Sequence, residues 1–394
     1  MITDVRNVQV FENGSMLNED YHKHEGISSS GLYYFNQYCP AKFKYGEREE
    51  TAALHFGTAS HAAMLEPDLF RSQFVRDLSV DENEDYITNV KGALAEMKKA
   101  GVLMNKSQVK DAMKSFGALT TSADIKKALT DCGIKVKAGT KAEELVEMAL
   151  DRLPEYTIYT GEGELVDSVD EILKIIPDAK IYTGDESAEQ VFAGCAELCP
   201  ELLVFPVEVK KWHDKHEGKT IVKADDYDMI LKMRETLFAT DHIAKLLSGA
   251  FFETSILCEI KVEGYDDWIK VKVRPDIITP NCMVPDYKTS RDIRPNEFLR
   301  LAYNGGYWFR QVFVCDVLSA VYGREFLPAL IAQEKDAPFI SLLYVLKNSD
   351  DRDLIGENRE EYVRSLIEYS ECLKGDVWPT YSDTPIQLNY PSWA

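Results

Sequence analysis

The sequence contains no run of eighteen apolar residues, so no membrane-spanning helix is expected. The opening stretch Met1-Ile2-Thr3-Asp4-Val5-Arg6 lacks the basic-then-apolar pattern of a secretory signal. Cysteine is sparse and scattered. The 8 residues make no disulfide framework, which points to a reducing, cytoplasmic setting. Cys195 and Cys199 are the close pair, and without a nearby His or second pair they read as buried thiols rather than a metal site. Positive charge is scarce as well: 45 Lys and Arg against 66 Asp and Glu leave a net charge of −21. A protein that coats nucleic acid nonspecifically is thereby excluded, whereas an enzyme with a local basic track is not.

What is present is concentrated in one short stretch. Val273-Arg274-Pro275-Asp276-Ile277-Ile278 is followed by Asp286-Tyr287-Lys288. Lys270 to Ile278 alternates and is β-rich, and it ends at Thr279-Pro280-Asn281; Cys282 to Thr289 reads as a returning strand. Asp286 and Lys288, two apart, project from one face of that strand, and a hairpin would bring Asp276 next to both. A hard divalent cation takes carboxylate ligands together with water and substrate phosphate. Lysine beside it positions the attacking hydroxide and stabilises developing negative charge. The pattern therefore suits Mg²⁺-dependent phosphodiester hydrolysis. The bland alternative is a surface hairpin with scattered charges.

The 394 residues suggest one large or two ordinary domains. Ser28 or Ser29 is placed to cap a helix carrying Leu32, Tyr33 and Phe35, which ends near Cys39-Pro40. Thr58 is read as the cap of a short helix stopped by Pro67, with Ala62 and Leu65 inward and His61 able to offer a ring nitrogen to a metal or simply to pack. From about residue 80 to 205 the chain turns acidic, holding about ten of the excess negative charges, and reads as short amphipathic helices. Within it, Thr121 to Leu150 forms a helix–extended loop–helix pattern of the kind used to dock DNA or protein, or simply a compact helical piece. Ile158-Tyr159-Thr160-Gly161-Glu162 is echoed by Ile181-Tyr182-Thr183-Gly184-Asp185. Two copies are too few for a solenoid. Further on, Glu253 to Val262 and Trp268 to Ile278 extend the hairpin to a three-stranded meander, with Glu259 as an extra carboxylate or a salt-bridge partner. One long helix is expected from Asn296 to Tyr322. Arg300, Tyr303, Tyr307 and Gln311 share one face of it, flanked by Arg310, and that face is either a phosphate-gripping, base-stacking stripe or a solvated surface.

In their order and spacing these pieces resemble the PD-(D/E)XK superfamily, in particular its phage and prophage branch around the RecE-type exonuclease VIII catalytic domain. The resemblance runs over about 20–78 and 206–394. It is carried by Ile27-Ser28-Ser29-Ser30-Gly31-Leu32, Cys39-Pro40-Ala41-Lys42-Phe43, Phe56-Gly57-Thr58-Ala59-Ser60-His61, Leu65-Glu66-Pro67, Arg274-Pro275-Asp276, Asp286-Tyr287-Lys288-Thr289, Tyr307 with Gln311, and the Trp378-Pro379 and Pro391-Ser392-Trp393-Ala394 ending. It implies an α/β, restriction-endonuclease-like core with a mixed sheet flanked by helices, carried by 1–79 and 206–394; the acidic, mainly helical stretch at 80–205 between them reads from its change of pattern as an insertion. It further implies His61, Asp276 and Asp286 as metal ligands for Mg²⁺ or Mn²⁺, with Lys288 as catalytic base or positioner. Tyr307 and Gln311 would contact DNA, with Arg300 and Arg310 beside them.

The implied activity is digestion of linear double-stranded DNA from an end, 5′ to 3′, feeding a single-strand annealing protein, by a ring-shaped homo-oligomer. A defence or structure-selective endonuclease, or an idle DNA- or protein-binding module, are the alternatives on the same core. Two departures stand out. Cys315 occupies the position four after Gln311 where relatives often carry Tyr, and the acidic insertion lies outside the family pattern. The insertion is therefore expected outside the DNA path, contacting another protein through 121–150 or tuning assembly. An iron–sulfur cluster, found in some relatives, is not expected: Cys39 could begin the set, but only Cys372 lies near the end.

Overall fold

A computed structural model describes residues 1–47, 52–115, 117–153, 155–156, 158–159, 165–166, 180–182 and 186–387. They divide into two compact units: Met1–Arg76 with Gly218–Ala394, and Asp77–Glu217. Among the described residues no helix is long and apolar enough to cross a membrane. The fold is mixed α/β, with sheets flanked by helices.

In the first unit the strands in chain order are β1 (Ile2–Phe11), β2 (Ile27–Ser28), β3 (Phe74–Arg76), β4 (Thr220–Val222), β5 (Phe251–Phe252), β6 (Ser255–Val262), β7 (Tyr265–Val273), β8 (Ile277–Ile278), β9 (Met283–Ser290), β10 (Leu327–Glu334) and β11 (Ser341–Val345). β1, β6, β7 and β2 form one sheet in that order, antiparallel except for the parallel β7–β2 edge. β9, β10 and β11 form a second, with β9 and β10 parallel. The connection from β9 to β10 runs through two helices, Pro295–Asn304 and Tyr307–Tyr322, as a parallel pair requires. The Tyr307–Tyr322 helix is apolar nearly all round. Phe309, Val312, Phe313, Val317 and Leu318 are buried in the main core with Ile256, Ile260 and Val271 of the first sheet and Tyr362 and Leu366 of the helix Leu354–Gly375.

Three sequence expectations change here. The hairpin is not a paired one. Pro275 has no N–H to donate to a ladder, β7 stops at Val273, and β8 pairs with β5 instead. The chain then turns at Thr279, whose N–H donates to the Met283 carbonyl at 3.0 Å, and β9 leaves to pair with β10. The third strand of the expected meander thus belongs to another sheet. The long helix is also two helices. Gly306 adopts φ +63°, and a Cβ there would meet the Tyr33 ring at 2.0 Å, so the break is fixed by packing. The Arg300–Gln311 stripe is consequently cut in two. Finally, the helix bearing His61 starts earlier, at Ala52, which puts Thr58 inside it rather than at its cap. Its end, followed by Pro67 as the first residue of the next helix, is as the sequence suggests. Ser28 does cap its helix, accepting from the Gly31 N–H at 3.0 Å.

The second unit is mainly helical. Val90–Lys99, capped by Asn89, packs on Ala188–Leu198, whose Ser187 and Gln190 form a reciprocal capping box. Ala93, Met97, Val191, Cys195 and Cys199 make up their core, which is where both thiols of the close pair reside. Ser122–Asp131 and Ala142–Arg152 pack as a helix pair around Leu129, Leu145 and Ala149. Most of the echoed segments lie outside the described residues. Of the rest, Ile158–Tyr159 pairs antiparallel with Leu165–Val166, whereas Lys180–Tyr182 pairs parallel with Leu103–Asn105.

Candidate active site

His61 is delivered by a helix that buries small residues around it and Met64 and Leu65 at its end. Ala59, Ser60, Ala62 and Ala63 let the helix lie close to its neighbours, and Arg234 donates to the Ala63 carbonyl at 2.8 Å. The imidazole uses both nitrogens. Nε2 lies 2.8 Å from Asp276 Oδ2, and Nδ1 lies 3.3 Å from Glu253 Oε1. Asp276 follows Pro275 off the end of β7. Its backbone carbonyl accepts from the Glu253 N–H at 2.9 Å, and its side-chain Oδ2 accepts from the Tyr287 N–H at 2.7 Å. Glu253 sits between β5 and β6 at φ +47°, an uncommon conformation for a residue with a Cβ. Gly14, after β1, donates to its carbonyl at 3.3 Å.

On β9 the period of two operates as the sequence implies. Tyr287 points into the core, donating its hydroxyl to Gln333 Oε1 at 2.7 Å, while Asp286 and Lys288 share the other face. Lys288 Nζ lies 2.5 Å from Asp286 Oδ2 and 3.1 Å from the Tyr287 carbonyl.

Each of these charges acts on its neighbours. Burial opposes ionisation of Asp276, but His61, Lys288 and the Tyr287 amide outweigh it and hold the carboxyl below the usual carboxylate range. Burial likewise disfavours charged His61, yet Asp276 and Glu253 push its pKa up to about 10. Burial and the Asp276 charge raise Asp286, partly countered by Lys288 and Arg310. Burial would lower Lys288, and Asp286 and Asp276 raise it instead. Glu253 is raised by burial against the opposing pull of His61, and Glu66 by burial and the Glu253 charge.

His61, Glu253 and Asp276 each bring a donor atom to within 4.8 Å of the others. One imidazole nitrogen and two carboxylates fit a divalent cation of the Mg²⁺ or Mn²⁺ kind. Asp286 is engaged by Lys288 beside this group. A cavity of about 700 Å³ opens at the cluster, lined among others by Gly14, Asn18, Glu66, Arg274 and Lys288. Arg274 is fixed within it, donating to Ser255 Oγ at 2.6 Å, Asn18 Oδ1 at 3.1 Å and the Met16 carbonyl at 3.0 Å.

The remaining sequence candidates divide. Arg310 is brought close to Asp286, whose carboxyl it helps to keep from rising further, and lies 5.0 Å from the Tyr307 ring centre. Tyr307 is also 5.8 Å from Lys288 Nζ. Gln311 is buried, and its Oε1 meets no partner among the described residues. Arg300 is on the separate Pro295–Asn304 helix, 3.7 Å from Glu297, and is not gathered in. Glu259 is held by Arg6 at 2.6 Å, the salt-bridge outcome. The residue that sequence reasoning missed is Glu253. It lies far from every motif in sequence, and a first position on a predicted strand gives no sign of its orientation.

Residues 196–386 match the model of a family described as a PDDEXK-like domain of unknown function (DUF3799). The match takes in Glu253, Asp276, Asp286 and Lys288, and the fold is consistent with a PD-(D/E)XK core. No curated protein matches the chain. Among solved structures, the chain is similar to a candidate exonuclease from Eubacterium rectale at 12% identity and TM-score 0.33, covering 56% of this chain and 82% of that one. It is also similar to SSO0001, at 16% identity and TM-score 0.21, covering 61% of this chain and 83% of that one.

Proposed function

We propose that the chain is a divalent-metal-dependent deoxyribonuclease that digests linear double-stranded DNA from an end. The observation that carries the reading is the meeting of His61, Glu253 and Asp276 with the Asp286–Lys288 pair beside one cavity. The PDDEXK-like match over 196–386 supports it. His61 and Asp276, with Asp286 or Glu253, would hold Mg²⁺ or Mn²⁺, which when bound supplies a more acidic water and neutralises charge on the phosphate.

The chain's own residues do the rest. Lys288, kept cationic by Asp286 and Asp276, faces the place where negative charge builds and steadies the attacking water. Arg274, already fixed by three acceptors, and Arg310 beside Tyr307 provide cations that hold phosphates on either side of the reacting one. A 5′-to-3′ polarity, a ring-shaped homo-oligomer and delivery of the remaining strand to an annealing protein complete the RecE-type reading.

The test is digestion of end-labelled linear duplex and closed circular duplex with Mg²⁺. Loss of label from linear DNA with the circle intact supports an exonuclease. Cutting of the closed circle establishes the endonuclease reading instead. No cleavage of either in Mg²⁺ or Mn²⁺ leaves a binding module and overturns the proposal.

A further inference from the structure

We infer that Lys272 is a positioning residue: through the helix Asn18–Lys23 it orients the guanidinium of Arg274, whose free N–H donors then grip one phosphate of the bound DNA. This rests on the nuclease reading for the choice of substrate and says what aims its phosphate-holding cation.

The strand sets up the pair. Lys272 is the last residue but one of β7, and Arg274 comes straight after the strand. A period of two therefore sends both side chains to one side, while Val271 and Val273 enter the main core. Tyr21, itself buried, lies against both: its ring centre is 5.2 Å from Lys272 Nζ and 4.3 Å from the Arg274 guanidinium carbon. The Tyr21 hydroxyl donates to the Lys272 carbonyl at 3.4 Å.

Lys272 is only 7% exposed. Burial and the Arg274 charge both oppose its ionisation, and among the described residues no acid offsets them. Its ammonium donates instead to three main-chain carbonyls where the helix Asn18–Lys23 ends: Tyr21 at 2.8 Å, His22 at 3.0 Å and His24 at 2.7 Å. These are acceptors that a helix leaves without partners, and they form the negative end of its dipole. Filling the same space with an apolar side chain would avoid burying a charge. What the ammonium supplies is direction, since three hydrogen bonds from one atom fix where the helix ends.

The start of that helix holds Arg274. Asn18 Oδ1 accepts from Nη1 at 3.1 Å and the Met16 carbonyl from Nη2 at 3.0 Å, while Ser255 Oγ accepts from Nε at 2.6 Å. A guanidinium carries five N–H donors. Three are used, which leaves one on each terminal nitrogen, and such a pair suits two oxygens of one phosphate. Arg274 lines the cavity that also contains His61 and Lys288. Two of its three acceptors belong to the helix start or the residues just before it, so the aim of the free donors follows from the element that Lys272 fastens.

The experiment measures fluorescence anisotropy of the full chain with a labelled blunt duplex of roughly 30 base pairs in EDTA, across a salt series. Lys272→Met and Arg274→Gln should each weaken binding about tenfold. Each should also reduce the salt slope by about 1, the loss of one phosphate contact. The double variant should bind no more weakly than Arg274→Gln alone, because the two changes remove the same contact. On linear duplex in Mg²⁺, Lys272→Met should raise KM about tenfold with kcat within a few-fold. A merely structural lysine would instead lower the folded fraction, and kcat with it, at constant KM. Asn18→Ala cuts the same chain of contacts at an exposed position. It should weaken binding several-fold at an unchanged melting temperature, and it decides the matter should Lys272→Met not fold. Wild-type affinity in folded Lys272→Met or in Asn18→Ala overturns the inference, as does a Lys272→Met loss that is undiminished in the Arg274→Gln background. If the coupled loss of binding persists while no duplex is cleaved in Mg²⁺ or Mn²⁺, the positioning role stands and the nuclease reading falls.

Discussion

The Asp276 carboxylate accepts a hydrogen bond at 2.7 Å from the backbone N–H of Tyr287, the residue between Asp286 and Lys288. The two halves of the motif are therefore joined by a side chain binding a main-chain donor, where strand pairing was expected. That donor lies on the edge of β9 away from β10, and Asp276 satisfies it in place of a neighbouring strand. One carboxylate thus faces His61 and at the same time sets the position of the Asp286–Lys288 face.

Asp286→Ala and Lys288→Ala should each lower the rate of duplex hydrolysis by at least ~10²-fold, with the fold retained. Both side chains lie on the cleft face of β9, while Tyr287 and its neighbours keep the core side intact. Steady-state rates on linear duplex, with circular dichroism of each purified variant, check this. Near-wild-type rates in either folded variant would falsify the site assignment.

Glu253→Gln should weaken Mn²⁺ binding by about 10- to 100-fold, the usual range when a carboxylate supporting a metal-bound His is lost. Titration calorimetry of the metal alone reads it directly, apart from any activity. The amide keeps the size of the side chain, so a variant that melts like the wild type and binds Mn²⁺ equally well removes Glu253 from the centre.

Much of this was legible in the sequence, and the parts that were not share a physical cause. The placement of Asp286 and Lys288 on one face followed from their spacing, and Ser28 announced its cap. Pairing partners did not follow. β10, Leu-Pro-Ala-Leu-Ile-Ala-Gln-Glu, is buried on both faces and so shows no alternation to identify it as a strand. β1 is a largely exposed edge with equally little pattern. The helix break at Gly305-Gly306 depends on Tyr33, distant in sequence, filling the space a Cβ would need. Glu253 reaches His61 only through tertiary packing, so no spacing rule could have found it.

Tyr287→Phe should separate stability from chemistry. It removes a buried hydroxyl that donates to Gln333 Oε1, leaving that acceptor without its partner, at a cost of about 1–3 kcal/mol. Denaturant unfolding should show the loss, while kcat on linear duplex stays within a few-fold of wild type. A large fall in kcat with stability unchanged would mean that the hydroxyl side of β9 takes part in the chemistry.

The metal-free protein should lose stability as the pH rises through the alkaline range. His61 has its pKa raised from 6.5 to about 10 by Asp276 and Glu253 against the effect of burial. A basic group raised on folding binds its proton more tightly in the folded state. Its contribution is therefore complete below about pH 6.5, declines above it, and is gone beyond about pH 10. Asp276 works at the other end: held below the usual carboxylate range, it contributes above its unfolded pKa, and that contribution is lost as the pH falls through the folded value. Melting temperatures in EDTA should accordingly fall between pH 7 and pH 9.5, more steeply for the wild type than for His61→Gln, which has no proton to lose there. Parallel curves for the two proteins would show that the imidazole is not held as a cation by the carboxylates around it.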